Sequence, residues 1–347
     1  VYSDLVTVTQ EAYVAPVPTE DYALFTGDLI EGDYIIYYDG KAMNTTVSSD
    51  RLQYAEVTPA NDVIATNDAA IVWHIAKSGE YWTIYNAAAN AYAAGTGTKN
   101  KAQMLEDGTD DKAKWTVSSG EDFEFVNKKN AESNVNANLR NNGTYGFACY
   151  STSTGGALTL YKKVTSTVSY NKTIAGYGDS DGGYYLIASP IYGLNPANIA
   201  GMTTGDYDLY AFDQSETDAW RNYKANAFQY LVPGKGYLYA SQGGVASLTF
   251  EGMPYEGNGV VALSYDADAS LAGWNLIGNP LGSNATLSQA YYRLNADGSA
   301  LNATTENIAV GVMEGVFVQA TETGQTATFT AQTRGTAAHI AQANIVV

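Results

Sequence analysis

Cysteine is nearly missing from this chain. Its 347 residues include one, Cys149. No internal disulfide can form. In "GFACYS" that cysteine sits in an alternating apolar run, where a buried small hydrophobe is expected rather than a catalytic thiol. Histidine is almost as scarce. Neither His74 nor His339 stands at ligand spacing from another histidine or from the cysteine, so no zinc site is written locally. Basic residues number 18 against 36 acidic ones, a net charge of −18. That balance excludes a phosphate-binding nucleic-acid surface and disfavours anionic membranes. It favours solubility and attraction of cations such as calcium.

Long apolar runs are missing too. Nothing approaches the roughly 18 residues that a spanning helix needs. No G-x-S-x-G nucleophile elbow occurs. "GTGTKNK" from Gly95 and "GKGY" from Gly234 lack the full phosphate-loop spacing, and both run into strands rather than a helix that could hold phosphate. Acidic pairs such as Asp266 with Asp268, and Asp107 with Asp110 and Asp111, read as solvated turn residues. None stands out as the two carboxyls held across a sugar that glycosidases use. The expectation is a protein that is not an enzyme.

What is present is tyrosine, at 28, and glycine, at 34. Tyrosine favours strands and glycine favours tight turns. Alternating runs such as "DYIIYY", "YWTIYN", "DFEFVN", "GYLYAS" and "GVFVQA" recur, broken by Gly, Asn, Asp and Ser, while helical periodicity is nearly absent. The fold class is all-β: a β-trefoil-like domain followed by a β-sandwich region built from two internal repeats.

Residues 1–27 read as a strand and linker. Residues 28–164 carry a threefold rhythm. Opening strands centre on Tyr34, Trp82 and Phe123, and closing strands on Trp73, Trp115 and Leu158. A unit of roughly forty residues written three times suits a closed barrel whose closure removes sheet edges. Trp73, Trp115 and Leu158 are its expected core plugs.

Residues 165–347 repeat a phrase. "GGYYLIASPI" (Gly182 to Ile191) and "AGWNLIGNPL" (Ala272 to Leu281) align without a gap. "YDLYAFDQS" answers "YYRLNADGS", "VPGKGYLYAS" answers "VGVMEGVFVQAT", and "SLTFEG" answers "TATFTA". The repeats cover about 182–265 and 272–347. They form either one sandwich or two packed ones, with Leu186 and Leu276 in equivalent buried strands.

Two resemblances follow. Residues 28–164 resemble the ricin-type, lectin-like β-trefoils, although Ile71 and Ala113 stand where that family often carries the Gln of its Gln-x-Trp motif. The phrase "GWNLIGNP" resembles a module of secreted, multidomain surface proteins of Gram-negative gut anaerobes. Together these imply an extracellular or outer-surface setting and a glycan or other host or bacterial surface ligand; they do not imply a reaction. The start at Val1 without a charged-then-apolar leader, and the apolar stop "HIAQANIVV", lead us to expect a piece of a longer protein.

Sugar faces pack on aromatic rings, and sugar hydroxyls need amide and carboxylate partners. The candidate residues are therefore Asp39 and Asn44 in the first unit, Asn86, Asn90 and Tyr92 in the second, and Asn127, Asn138 and Tyr145 in the third. Trp220 in the polar stretch "DAWRNYK" is expected on an exposed hairpin. Asp179 and Asp181 in "GDSDGG" are the candidate calcium ligands, because Asp-x-Asp-Gly sets oxygens on one side of a tight turn. The expected function is a non-catalytic carbohydrate-binding or adhesive module. The alternatives are an accessory fragment of a secreted hydrolase whose catalytic domain lies outside this chain, or a structural stalk.

Overall fold

A computed structural model describes residues 19–174, 183–202, 207–225, 227–242, 246–295, 300–304 and 309–332. Strands dominate them, and the multiple sheets make the protein all-β. The alternation that announced strands is realised in their burial. In Val72–Ser78, Trp73 and Ile75 point inward while His74 points to solvent.

Six strands close into a ring. Gly32–Tyr38 pairs with Val72–Ser78, which forms a hairpin with Tyr81–Asn86. Trp82 then meets Trp115 at the head of Trp115–Ser118, and that strand pairs with Glu124–Asn127. Phe123 bridges Leu158, and Thr159–Lys163 returns to Gly32–Tyr38. Each third of the ring carries one further hairpin: Lys41–Ser48 with Arg51–Glu56, Ala91–Ala94 with Gln103–Leu105, and Asn138–Asn141 with Phe147–Tyr150. One hairpin thus accompanies each third of the six-stranded ring.

Trp73, Trp115 and Leu158 are fully buried in its core. A buried indole needs an acceptor for its N–H. Trp73 Nε1 donates to the Met43 carbonyl at 2.8 Å, and Trp115 Nε1 donates to the Ala93 carbonyl at 3.1 Å. Each tryptophan thus ties its closing strand to a cap hairpin. Leucine in the third unit has no polar atom to satisfy. The N-terminal stretch contributes more than a linker: Glu20–Phe25 pairs with Thr159–Lys163 and with Val63–Thr66.

The duplicated region forms two sandwiches. In the first copy one sheet runs Tyr184–Ala188, Gly236–Ser241, Tyr207–Phe212, Trp220–Asn222. In the second copy the same order recurs as Trp274–Gly278, Gly315–Gln319, Tyr291–Leu294, Leu301–Thr304. The second layer of the first copy pairs Val168–Ile174 with Ala246–Gly252. That of the second copy pairs Val260–Ala262 with Thr326–Ala331, extended by Ala285–Leu287 and Ala309–Val310. Each copy has its own core. The strand before each repeated phrase pairs with the strand that closes the copy, so the phrase is the second strand of its unit. Residues 333–347, where the second repeat was expected to end, lie outside the described residues.

The register sharpens the repeat. Tyr210 lies opposite Leu238, and Tyr292 lies opposite Phe317. Since Leu186 pairs with Leu238 and Leu276 with Phe317, Tyr210 corresponds to Tyr292. Matching the letters alone sets Tyr207 against Tyr291. A two-residue slip keeps every side chain on its face, so alternation could not expose it.

The two copies meet through this phrase. Leu186, Leu276 and Phe317 are buried in one cluster with Phe212, Trp220, Leu238, Trp274 and Tyr292 around them. The neighbouring isoleucines, Ile187 and Ile277, point instead into their own sandwich cores. Backbone bridges cross symmetrically, Ile187 to Glu314 and Ile277 to Lys235. On the barrel side, Tyr192 enters the barrel cluster with its ring 4.4 Å from that of Phe25, and the Gly193 amide donates to Thr26 Oγ1 at 2.9 Å.

Candidate functional site

The structure separates the candidate residues into structural and displayed groups. Asn86 and Asn127 are fully buried and are not ligand residues. Asn86 Nδ2 donates to the carbonyls of Ala69 and Val72 at 2.9 and 2.8 Å, and its Oδ1 accepts from the Ala89 amide. Asn127 Nδ2 donates to the Lys112 carbonyl at 2.7 Å, and its Oδ1 accepts from the Asn130 amide. Each asparagine clamps the 3-10 turn that precedes a core tryptophan, Ala69–Ile71 before Trp73 and Asp111–Ala113 before Trp115. Buried turn carbonyls need donors, and these amides supply them.

Trp220 is also corrected. It is half-buried, edge-on to Phe212 at 5.3 Å and to Phe317 at 6.1 Å, and it packs the joint between the two copies. Asn138 donates weakly to Glu124, whose carboxylate holds Arg140. Asp39 occupies an exposed turn at φ +46°, and Asn44 Oδ1 caps its own turn through the Thr46 amide. Tyr145 is 62% exposed with the Arg51 guanidinium 5.6 Å from its ring. The calcium candidates Asp179 and Asp181 lie outside the described residues. Among the described residues no group of three His, Cys, Asp or Glu side chains could hold a metal.

Asn90 and Tyr92 are brought into a larger group. Across neighbouring strands Asp33 lies opposite His74, His74 opposite Tyr85, and Tyr85 opposite Tyr92. Directly paired residues share a face. The inward row beside them, Ile75 against Ile84, fills the core, so this row lies on the outer face of the barrel. Its members touch. His74 Nδ1 is 2.8 Å from Asp33 Oδ1, with both side chains well exposed. The rings of Tyr85 and Tyr92 are 4.9 Å apart and tilted by 50°. Tyr85 donates its hydroxyl to Asn90 Oδ1 at 2.8 Å. Asn90 sits at φ +49° in the turn between the tyrosine strands, a conformation asparagine tolerates better than most residues. Gly108 lies against Tyr92, and a Cβ there would fall 2.5 Å from the ring, so glycine lets the ring settle.

The row therefore offers half-exposed aromatic surface, an amide, an imidazole and a carboxylate on one rigid face. Three of its members, Asp33, His74 and Tyr85, are missed by sequence reasoning. Alternation does point them outward, but their juxtaposition depends on strand register across the ring. The acidic turn groups are structural as expected: Asp107 Oδ1 accepts from the Thr109 amide, and Asp266 Oδ1 from the Asp268 amide. Cys149 is fully buried, and burial pushes its thiol up to about 12.

No protein-family model matches this sequence, and no curated protein does. Among solved structures, the chain is similar at low identity to the following two. One is a Polyporus squamosus lectin bound to a human-type influenza-binding epitope, 13% identical, covering 42% of this chain and 52% of the lectin, with a TM-score of 0.31. The other is a mosquitocidal holotoxin, 12% identical, covering 86% of this chain and 51% of the toxin, with a TM-score of 0.30. The chain thus spans about half the length of these two solved chains.

Proposed function

We propose that this protein is a non-catalytic carbohydrate-binding module of a larger secreted or surface-attached protein. Its site is the barrel-face row of Asp33, His74, Tyr85, Asn90 and Tyr92. One observation carries the reading: paired tyrosine rings stand beside an amide and a carboxylate in one cross-strand row. A sugar ring has a CH-rich face that packs on aromatic rings, and its hydroxyls both donate and accept. Asp33 accepts, and the Asn90 amide does both. The duplicated sandwiches serve as a spacer that presents the barrel.

A glycan array probed with the full chain tests this reading. Binding to a defined set of saccharides, weakened in Tyr92→Ala while the fold is retained by circular dichroism, is the expected result. Silence across host and plant glycans contradicts it and leaves the stalk reading.

A further inference from the structure

The duplication allows one copy to be compared with the other. In the second copy Arg293 lies over Glu314, with its Nε 2.6 Å from Glu314 Oε1. The register that matches Tyr210 to Tyr292 matches Ala211 to Arg293. The crossing bridges match Lys235 to Glu314. Where the second copy has a long side chain filling the space beside the joint, the first copy therefore has alanine. Among the described residues no carboxylate lies within ion-pair distance of Lys235. A cleft of about 490 Å³ opens there, lined by Ala211, Lys235, Arg221 and Glu216 of the first copy, Trp274 of the second and Glu121 of the barrel. Its volume falls within the range of small-molecule sites.

We propose that this cleft is a second saccharide site, separate from the barrel-face row, which takes a neutral sugar. Trp274 is the platform. Its ring is half-buried, 5.0 Å from that of Tyr292 and edge-on to Phe317 at 6.2 Å, so its position is fixed before a ligand arrives. Polar groups of both signs stand around it. Arg221 and Lys235 donate; Glu121, Asp213 and Glu216 accept, with Arg221 and Glu216 already 3.3 Å apart. Opposed charges nearly cancel, which suits uncharged hydroxyls more than an ionic ligand. Gln214 keeps the cleft in shape. It is buried, accepts from the Gly273 amide at 2.6 Å and donates to the Ser264 carbonyl at 2.7 Å, which ties the two copies together along one wall.

The test titrates lactose, cellobiose and methyl glucuronide into the full chain, following tryptophan fluorescence and heat. Trp73, Trp82 and Trp115 lie in the barrel core, so a ligand-induced change reports the tryptophans near the joint. Ala211→Arg combined with Lys235→Glu copies the filled arrangement of the second copy. Lys235→Met removes one donor with little risk to the fold. At least one neutral disaccharide should bind, with affinity reduced tenfold or more by the double variant, reduced by Lys235→Met and kept in Tyr85→Ala. Loss in Tyr85→Ala alone overturns the cleft while leaving the row standing. Tighter binding of the glucuronide than of neutral sugars overturns the ligand class. Absence of binding by the wild type overturns the cleft and leaves the row to the glycan array.

Discussion

Gly236 lies directly beneath Ile277, so closely that a Cβ at Gly236 would sit 2.7 Å from the Ile277 carbonyl oxygen. Its counterpart across the joint, Gly315, would bring a Cβ to 3.0 Å from the Ile187 carbonyl oxygen. The repeated phrase and the glycine opening the facing strand are two halves of one contact, written twice because each copy presents it to the other. Gly236→Ala forces the sheets apart. We expect a loss of about 1–3 kcal/mol, typical of overpacking. Denaturant unfolding of the variant against wild type measures it, and an unchanged midpoint would remove the joint from the account.

The buried asparagines give a second expectation. Asn127→Ala leaves the Lys112 carbonyl and the Asn130 amide without their partner. Stranding buried polar groups costs about 1–3 kcal/mol. Thermal melting should fall, while affinity for any glycan, measured well below the melt, should stay the same. A selective loss of affinity would restore Asn127 as a ligand residue.

Stability should respond to pH at the seam between barrel and sandwiches. Burial raises the carboxyl of Glu121 above its ordinary range, with the charge of Lys235 working against it, and burial also raises Asp62 and Asp122. The folded protein then holds more protons than the unfolded chain between the ordinary and the raised values. By linkage, these groups make stability fall as pH rises through that window and leave it level above. Glu121→Gln, which keeps an acceptor for the Gln229 amide, should melt higher than wild type at pH 7 and show no such gain at pH 3. Equal gains at both pH values would contradict the desolvation argument.

Cys149 offers a check on the barrel core. Its thiol is fully buried and held protonated. Thiolate is the reactive form. An aromatic disulfide reagent at pH 8 should leave the native protein unmodified and label it on unfolding in guanidinium. Rapid native labelling would mean that the core opens.

Much of the fold was legible because strands write their faces in alternation. Trp73 and Trp115 announced the threefold core, and Leu186 and Leu276 announced their shared setting. What stayed hidden depends on pairing. The split into two sandwiches follows from Val168–Ile174 and Val260–Ala262 serving separate layers, which no local pattern reveals. Asn86 and Asn127 have the composition of a sugar site and the burial of a clamp, and only their carbonyl partners separate the two. Trp220 sits in polar sequence yet packs on Phe317, a residue far along the chain. Asp33, His74 and Tyr85 come from separate strands, so their row exists only once the ring is closed.

The central claim is that the row binds a sugar through its tyrosine pair. Isothermal titration of the strongest array glycan whose binding survives Ala211→Arg combined with Lys235→Glu, into wild type, Tyr85→Ala and Asn90→Gly, tests it most directly. Asn90→Gly keeps the positive φ of that turn while removing the amide. The account predicts a weakening of about tenfold or more in Tyr85→Ala, equivalent to about 1.4 kcal/mol, and a smaller one in Asn90→Gly, with both variants melting as cooperatively as wild type. Wild-type affinity in both variants would contradict it.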